Sequence, residues 1–438
     1  MKLAAVFTAV LLLHGATRAE ELPGPLETPP APSGMVLVPG GEYKPLYAKE
    51  TKPRTAAAWF LSVAPVTNAE FLGFVKSHPE WQRSKVDRAM ADENYLRHWA
   101  GDLDLGADAA KLGPAPVTHV SWFAARAYCE SKGLRLPTQD EWEFAARADA
   151  TRIDATTDQA FLQKLLEWYA KPHAGGLPAA SAAEPNVYGL RGLHGLVWEW
   201  VKDFNSTMIV GDSRGDDSLE RKLFCGSGSL LASDVSNYAA FMRYAFRSSL
   251  KGNYCVGSLG FRTARSISPE TPQKTPAGSP YSLASKWTQQ DGKGIRLADL
   301  KGKVRVVTMG FTSCQYACPR IVGDLQRIES ALGTDADKIG LVFISIDPAR
   351  DTPQKMLEFA AEHKLSLTRW TFLSGAAPDV QDLAVAMDYK YQQVEQDFAH
   401  SNLIAVIDVT GRVVHREEAL GAEIEPTVRA VRALLIKP

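Results

Sequence analysis

Fifteen consecutive residues near the middle of the chain, Ser266-Ile-Ser-Pro-Glu-Thr-Pro-Gln-Lys-Thr-Pro-Ala-Gly-Ser-Pro280, hold four prolines and no apolar period. Proline fixes its own φ, has no amide hydrogen and pushes the preceding residue out of the helical region, so this run suits neither a helix interior nor an inner strand. It reads as a linker over 266–280, dividing 438 residues into two stretches that must each bury a core. Length agrees, because a single hydrophobic core seldom grows beyond about 250–300 residues.

The two stretches are patterned differently. Residues 34–265 are rich in Trp, Gly and short elements. Met35-Val-Leu-Val-Pro-Gly-Gly41 and Leu259-Gly-Phe-Arg-Thr-Ala264 read as short strands, and 122–132 and 138–147 as helices, the latter opened by a Thr138/Glu141 capping box. The expectation is an α+β, loop-rich domain held by aromatic packing. Across 281–438, buried-strand runs at 304–311, 339–346 and 402–408 alternate with helical stretches at 320–331, 353–363 and 425–435. That alternation predicts an α/β domain layered around a central sheet.

At the start, Lys2 precedes an apolar run over 3–13 and then Ala16-Thr-Arg-Ala19, the pattern of an export signal cut after Ala19. About 11 apolar residues fall short of the roughly 20 that span a bilayer, so a signal peptide over 1–19 is expected rather than a permanent membrane anchor. Residues 20–33, rich in Pro and Glu, read as a tether. The implied location is the periplasm. A formal net charge of −1 gives no field that would recruit nucleic acid or anionic lipid. Export exposes Cys129, Cys225, Cys255, Cys314 and Cys318 to oxidation, and five thiols cannot all pair within one chain.

Two of those cysteines carry the chemistry. In Phe311-Thr-Ser-Cys-Gln-Tyr-Ala-Cys-Pro319 they stand at a predicted strand-to-helix junction, with Pro319 suited to the first helical turn. Cys318 then falls at or near a helix N-cap, with Cys314 in the loop above. A helix N-terminus favours the thiolate, the form that attacks disulfides and binds soft metals. From these residues alone a metal site and a redox site both remain open.

That segment resembles the Sco/SenC family, thioredoxin-fold copper proteins of respiratory membranes and bacterial periplasms, over about 281–438. The family's Cys-x-x-x-Cys-Pro matches Cys314, Cys318 and Pro319. Its Asp-Pro-x-Arg-Asp-Thr-Pro matches Asp347-Pro-Ala-Arg-Asp-Thr-Pro353, and its histidine before a late strand matches His400 in Asp397-Phe-Ala-His-Ser-Asn-Leu403. The resemblance implies a thioredoxin-like fold and one copper per chain, Cu(I) or Cu(II), on Cys314, Cys318 and His400. It also implies delivery to an exported copper enzyme, such as cytochrome oxidase or a copper reductase, or to its assembly factors. Two thiolates and an imidazole suit Cu(I); zinc suits the same donors chemically, but an open exported Cys2His site is more readily explained by copper.

The chain thus reads as a metallochaperone rather than an enzyme. The alternative is a thiol-disulfide oxidoreductase that keeps copper-site cysteines reduced, with Cys314 and Cys318 as its redox pair. Thioredoxin-type reductases place two residues between their cysteines, whereas here there are three, and dithiol exchange has no required role for His400. Asp347, Arg350 and Asp351 read as a turn-and-cap cluster, with Asp351 or Thr352 capping a helix that begins near Pro353.

The first stretch has a resemblance of its own. Leu134-Arg-Leu-Pro-Thr-Gln-Asp-Glu-Trp-Glu-Phe-Ala-Ala146, Tyr188-Gly-Leu-Arg-Gly-Leu-His-Gly-Leu-Val-Trp-Glu-Trp200 and Leu259-Gly-Phe-Arg262 resemble the formylglycine-generating enzyme, or sulfatase-modifying factor, family over about 34–265. A C-type-lectin-like fold is implied. Those enzymes oxidise a sulfatase cysteine with two copper-binding cysteines ahead of Leu-Gly-Phe-Arg. On alignment through Arg243-Tyr-Ala-Phe-Arg-Ser-Ser-Leu250 the positions hold Ala245 and Leu250, so the domain reads as a noncatalytic docking module and a residual oxidase is the least favoured function.

Calcium is doubtful there, since Leu196 replaces the family's Asn and removes a hard oxygen ligand, although Glu199 remains. Arg243, Arg247 and Arg262 with Tyr244 and Tyr254 could line the groove where the enzymes hold peptide, and they suit packing and surface ion pairing as well. A Cys225–Cys255 disulfide is one pairing the count allows. Cys129, on the helix at 122–132, reads as a small buried residue.

Overall fold

The computed structural model describes residues 30–44, 53–170, 176–206, 238–267, 279–283, 285–394 and 397–436. The expected export signal, most of the tether, residues 268–278 of the proline-rich segment, and Cys225 with its pairing to Cys255 lie outside the described residues.

The N-terminal domain begins with β1 (Met35–Val38), β2 (Gly41–Tyr43), β3 (Arg54–Ala56) and β4 (Trp59–Ser62). Helices α1 (Asn68–Ser77), α2 (Ala109–Leu112), α3 (Trp122–Ser131), α4 (Gln139–Ala146) and α5 (Gln159–Ala170) come next. β5 (Trp198–Trp200), α6 (Tyr238–Ser248), β6 (Leu259–Phe261) and β7 (Ala264–Ser266) close it. β4 is central to an antiparallel β1-β4-β7 sheet, β2 pairs β3, and β5 runs parallel to β6. Strands of three or four residues leave most of the chain irregular, so stability has to come from side chains. Trp59, Trp122, Trp200, Phe71 and Phe261 are fully buried among them, and each large ring removes some 150–250 Å² from water. Thr138 and Glu141 form the expected capping box, and Thr67 with Glu70 forms a second one at α1.

The three arginines read either as lining a groove or as packing and pairing with carboxylates are ion-paired, and in the core rather than at the surface. Arg262 has no exposed side-chain surface and donates to Glu199 at 2.7 and 2.9 Å, while Trp142 Nε1 donates to the same carboxylate at 2.7 Å. Arg243 and Arg247 share the buried Glu143 at 2.7 and 2.6 Å. Tyr244 is buried beside them, and Tyr254 packs half-buried against the core. A guanidinium taken out of water demands a carboxylate and fixed acceptors, and these have them, so they hold loops together and are not presented to a peptide. Removing one member of such a pair costs about 3–5 kcal/mol. Cys129 is fully buried on α3, as expected.

The C-terminal domain alternates as its sequence predicts. β8 (Lys286–Gln289), β9 (Gly294–Arg296), β10 (Val304–Gly310), α7 (Ala317–Leu332), β11 (Ile339–Ser345), α8 (Pro353–Glu362) and β12 (Trp370–Gly375) come first. α9 (Ala377–Ala386), β13 (Tyr391–Val394), β14 (Asp397–His400), β15 (Ile404–Ile407), β16 (Val413–Glu417) and α10 (Glu425–Ile436) complete it. Seven strands form one mixed sheet in the order β16-β15-β10-β11-β12-β8-β9, with β10, β11 and β12 parallel. Successive residues of β11 serve opposite faces: Leu341 and Phe343 pack with α7, α8 and α10, whereas Val342 and Ile344 pack with α9 and Tyr389. All of β11 is buried, as helices on both faces of a parallel sheet require. This is the layered thioredoxin-like architecture.

The two domains are in contact. Arg126 of α3 forms a buried, two-pronged ion pair with Asp382 of α9 and also holds Glu130 at 2.7 Å. Val385 of α9 inserts into the N-terminal core beside Phe123, and a Cβ on Gly252 would lie 2.9 Å from both side chains, so glycine permits the approach. Asn205 bonds Gln381 and the carbonyl of Tyr389, Lys390 Nζ donates to the carbonyl of Ser248, and Lys251 pairs with Asp388 at 2.8 Å.

Two histidines make the N-terminal domain sensitive to acid. Burial, then His119 and the nearby Arg83 and Arg97, push His98 down to about 4; burial, then Arg243, pushes His194 down to about 3. Their ordinary value is 6.5, so between there and about 4 the unfolded chain binds protons that the folded chain refuses, and stability falls as pH falls. The thermal midpoint should therefore drop from pH 7 to pH 4.5, and His98→Phe should flatten that slope. Equal slopes for the two proteins would show that His98 does not contribute.

Candidate metal centre

β10 aims the chain at the site. Its last residue, Gly310, must be glycine because a Cβ would stand 2.7 Å from Cys318 Sγ and 3.1 Å from the Phe343 ring. The chain then loops through Cys314 and enters α7, whose N-cap is Tyr316. Cys318 therefore lies two residues inside the helix, slightly past the N-cap position expected, with Pro319 still in the first turn. Tyr316 supplies no side-chain cap; the amide of Cys318 donates to Cys314 Sγ at 3.5 Å instead. Sulfur thus takes up one of the unpaired N–H groups at the helix start, where negative charge is favoured. The amide of Phe311 donates to Cys318 Sγ, also at 3.5 Å.

His400 ends β14 and reaches the same sulfurs. Its Nε2 is 3.9 Å from Cys318 Sγ, and the donor atoms of Cys314, Cys318 and His400 all lie within 4.8 Å of one another. On the far side of the ring Nδ1 bonds the Ser401 carbonyl at 2.8 Å, which makes Nδ1 the N–H and leaves the Nε2 lone pair facing the thiols. Tyr389 stacks on the imidazole and Phe311 meets it edge-on, with centroids 6.0 and 5.8 Å away. Cys318 and His400 are buried and Cys314 half-buried. Access is on the Cys314 side, beside the exposed Tyr316 ring.

The thiols are unlike each other. A hydrogen bond from Cys318, helped by the amides of Cys318 and Tyr316, lowers Cys314 to about 3, so it is a thiolate at neutral pH. Cys318 is pushed up by its bond to Cys314 and by burial, and it keeps its proton. Two sulfurs and an imidazole lone pair, close together but not bonded, fit a soft ion of low coordination number. Among the described residues this is the group of His, Cys and carboxylate side chains with such convergence.

The Asp347–Asp351 turn has a larger part than capping. Thr352 is the cap of α8, accepting from the Lys355 amide at 3.3 Å, and Asp347 pairs with Arg350. Asp351 is almost fully buried and accepts from Thr312 N at 3.1 Å, Thr312 Oγ1 at 2.5 Å and Ser345 Oγ at 2.6 Å. It pins the loop before Cys314 to the end of β11. Tyr389 carried no local motif at all.

The N-terminal domain assembles no comparable group among the described residues. Ala245 lies on α6 and Leu250 is buried, and neither offers a donor. Cys255 is buried, its thiol donating to the Asn253 carbonyl at 3.4 Å and raised by burial and by Asp92. Glu199 is engaged by Arg262 and Trp142, and Leu196 is buried.

Comparison with known proteins finds two families along the chain, their matches overlapping over 249–267. The sulfatase-modifying factor enzyme 1-like domain matches residues 20–267 and SCO1/SenC matches residues 249–435. The formylglycine-generating enzyme of Streptomyces coelicolor is 29% identical over 299 residues, covering 55% of this chain and 92% of the relative. The SCO1 protein homolog of Bacillus subtilis is 27% identical over 129 residues, 28% of this chain and 67% of its own length. A solved structure of Bradyrhizobium japonicum ScoI with copper bound aligns at 27% identity and a TM-score of 0.30, over 34% of this chain and 96% of that one. The chain belongs to the sulfatase-modifying factor enzyme 1-like family and joins to that domain a C-terminal SCO1/SenC domain of thioredoxin-like fold.

Proposed function

We propose that the protein is an exported, periplasmic copper metallochaperone or assembly factor. Cys314, Cys318 and His400 hold one copper ion as cargo for an exported copper enzyme such as cytochrome oxidase or a copper reductase. The domain at 34–265 docks without acting as a formylglycine-generating oxidase, and 266–280 links it to the carrier at 281–438. The observation that carries this reading is the convergence of the three donor atoms within 4.8 Å, with the imidazole held in the tautomer that offers Nε2. A half-buried thiolate gives the ion a way in and out, while a buried thiol and imidazole retain it. No helix among the described residues is long and apolar enough to cross a membrane.

One observation favours a second reading. A thiolate stabilised by a neighbouring buried thiol is also how a dithiol reductase presents its attacking sulfur. The readings differ at His400, which copper needs and dithiol exchange does not.

Purified reduced protein should bind about one copper per chain, and Cys314→Ser, Cys318→Ser and His400→Ala should each lose most of it. Unchanged stoichiometry in all three would end the copper reading. In the apo-protein at pH 6, iodoacetamide should label Cys314 ahead of Cys318, because only Cys314 is ionised there; equal labelling would contradict the asymmetry. Insulin reduction that survives His400→Ala undiminished, in a protein that takes up no copper, would move the function to the reductase.

A further inference from the structure

We propose that the N-terminal domain is a clamp that positions His400, acting through Asp388, Tyr389 and Lys390. The part of this that concerns copper rests on the function proposed above; the part that concerns His400 itself does not.

His400 is set by two neighbours in the C-terminal domain. Tyr389 stacks on its ring with planes 24° apart. Lys390 fixes the residue after His400, since Ser401 N donates to the Lys390 carbonyl at 2.8 Å and Lys390 N donates to Ser401 Oγ at 3.0 Å. The Ser401 carbonyl in turn receives Nδ1–H of His400. The dipeptide therefore controls both the ring plane and the hydrogen bond that selects the tautomer.

The other domain grips that dipeptide. Asn205 Nδ2 donates to the Tyr389 carbonyl at 3.3 Å. Lys390 Nζ donates to the carbonyl of Ser248, the last residue of α6, where a cation meets the negative end of a helix. Lys251 pairs with Asp388, which sits at a φ of +48°, a left-handed conformation that Asp tolerates but that still needs support. Three successive residues are each held from the N-terminal domain. Upstream, the buried Arg126–Asp382 pair and the Asn205–Gln381 bond fix α9, which leads directly into them.

A ligand that must stay within about half an ångström of its working position depends on the contacts behind it, and losing such contacts typically weakens metal binding about 10–100-fold. The Tyr389 hydroxyl is anchored inside its own domain, on the Met309 carbonyl at 3.0 Å. Its backbone and the Lys390 side chain are where the second domain bears. Asn205, Lys251 and Ser248 are thus positioning residues for a site to which they contribute no donor atom.

The test compares wild type with Asn205→Ala/Lys390→Met in the full chain, and adds Lys251→Ala, which breaks a partly exposed pair, as a milder variant in case the first fails to fold. Hydrogen exchange on the copper-free proteins should rise at 388–390 and at 397–401 while exchange at 314–318 stays as in the wild type. Copper competition against a chelator should then show one ion still bound, about tenfold more weakly, with a shifted thiolate-to-Cu(II) absorption band. Exchange that rises at 388–390 but not at 397–401 would overturn the clamp, whether or not any copper binds. So would an unchanged affinity and band once 397–401 have loosened. Absence of copper from the wild type would overturn the proposed function and leave the exchange result to judge the clamp.

Discussion

Burying a guanidinium is the constraint around which this protein is built. Arg126, Arg243, Arg247 and Arg262 are all buried, and each faces carboxylate: Asp382 and Glu130, Glu143, Glu143 again, and Glu199. In a domain whose strands run three or four residues, backbone ladders cannot fix the loops. Buried charge can, because a misplaced loop would leave an ion unpaired in a dry interior. Arg262 joins β6–β7 to Glu199 of β5 and to the carbonyls of Ser62 and Arg191. The Arg126–Asp382 pair applies the same rule across the domain boundary. Docking the C-terminal domain shields Arg126 from water, so an incorrectly docked arrangement would leave a bare carboxylate on α9.

Much of the Cys314–Cys318–His400 cluster was legible because its signals are local. Cys-x-x-x-Cys-Pro after an apolar strand specifies a loop, a helix start and two sulfurs on one side of it. His400 precedes a strand that pairs with β10, and so it returns to the end of that strand. What escaped was everything set by partners distant in sequence. Asp351 looked like a cap because Thr352 and Pro353 follow it, yet Thr312 and Ser345, which reach it from other elements, decide what it does. Gly310 reads as an ordinary strand end until Cys318 Sγ is seen against it.

The fold shows the same division. β10, β11, β15 and the helices α7, α8 and α10 stand where apolar runs, a capping Thr or a first-turn Pro announce them. β8, β12 and α9 were not anticipated, and each lies on the side of the sheet where short, mixed segments are stabilised by neighbours rather than by their own pattern. In the N-terminal domain two roles stayed open for the arginines, a groove wall or packing with ion pairing, and the structure has them paired, though in the core rather than at the surface. Arg243 and Arg247 near aromatic residues have the composition of a peptide groove. Composition cannot report that Glu143, 100 and 104 residues away, is buried against them both.

The interface was invisible in sequence for the same reason, and it bears most directly on function. Under the proposed function, a carrier that releases its cargo needs a site held firmly enough to bind and loosely enough to yield. Cys314 is on the loop that opens to solvent, while His400 rests on a wall that the second domain braces from behind. One ligand can therefore change position while another stays fixed, and the braced ligand is the one whose support a docked partner could alter without touching the metal. On the proposed clamp, the loop-rich domain has a physical role at the Cys314–Cys318–His400 cluster even though its own equivalent of a catalytic pair, at Ala245 and Leu250, offers no side-chain donor atom.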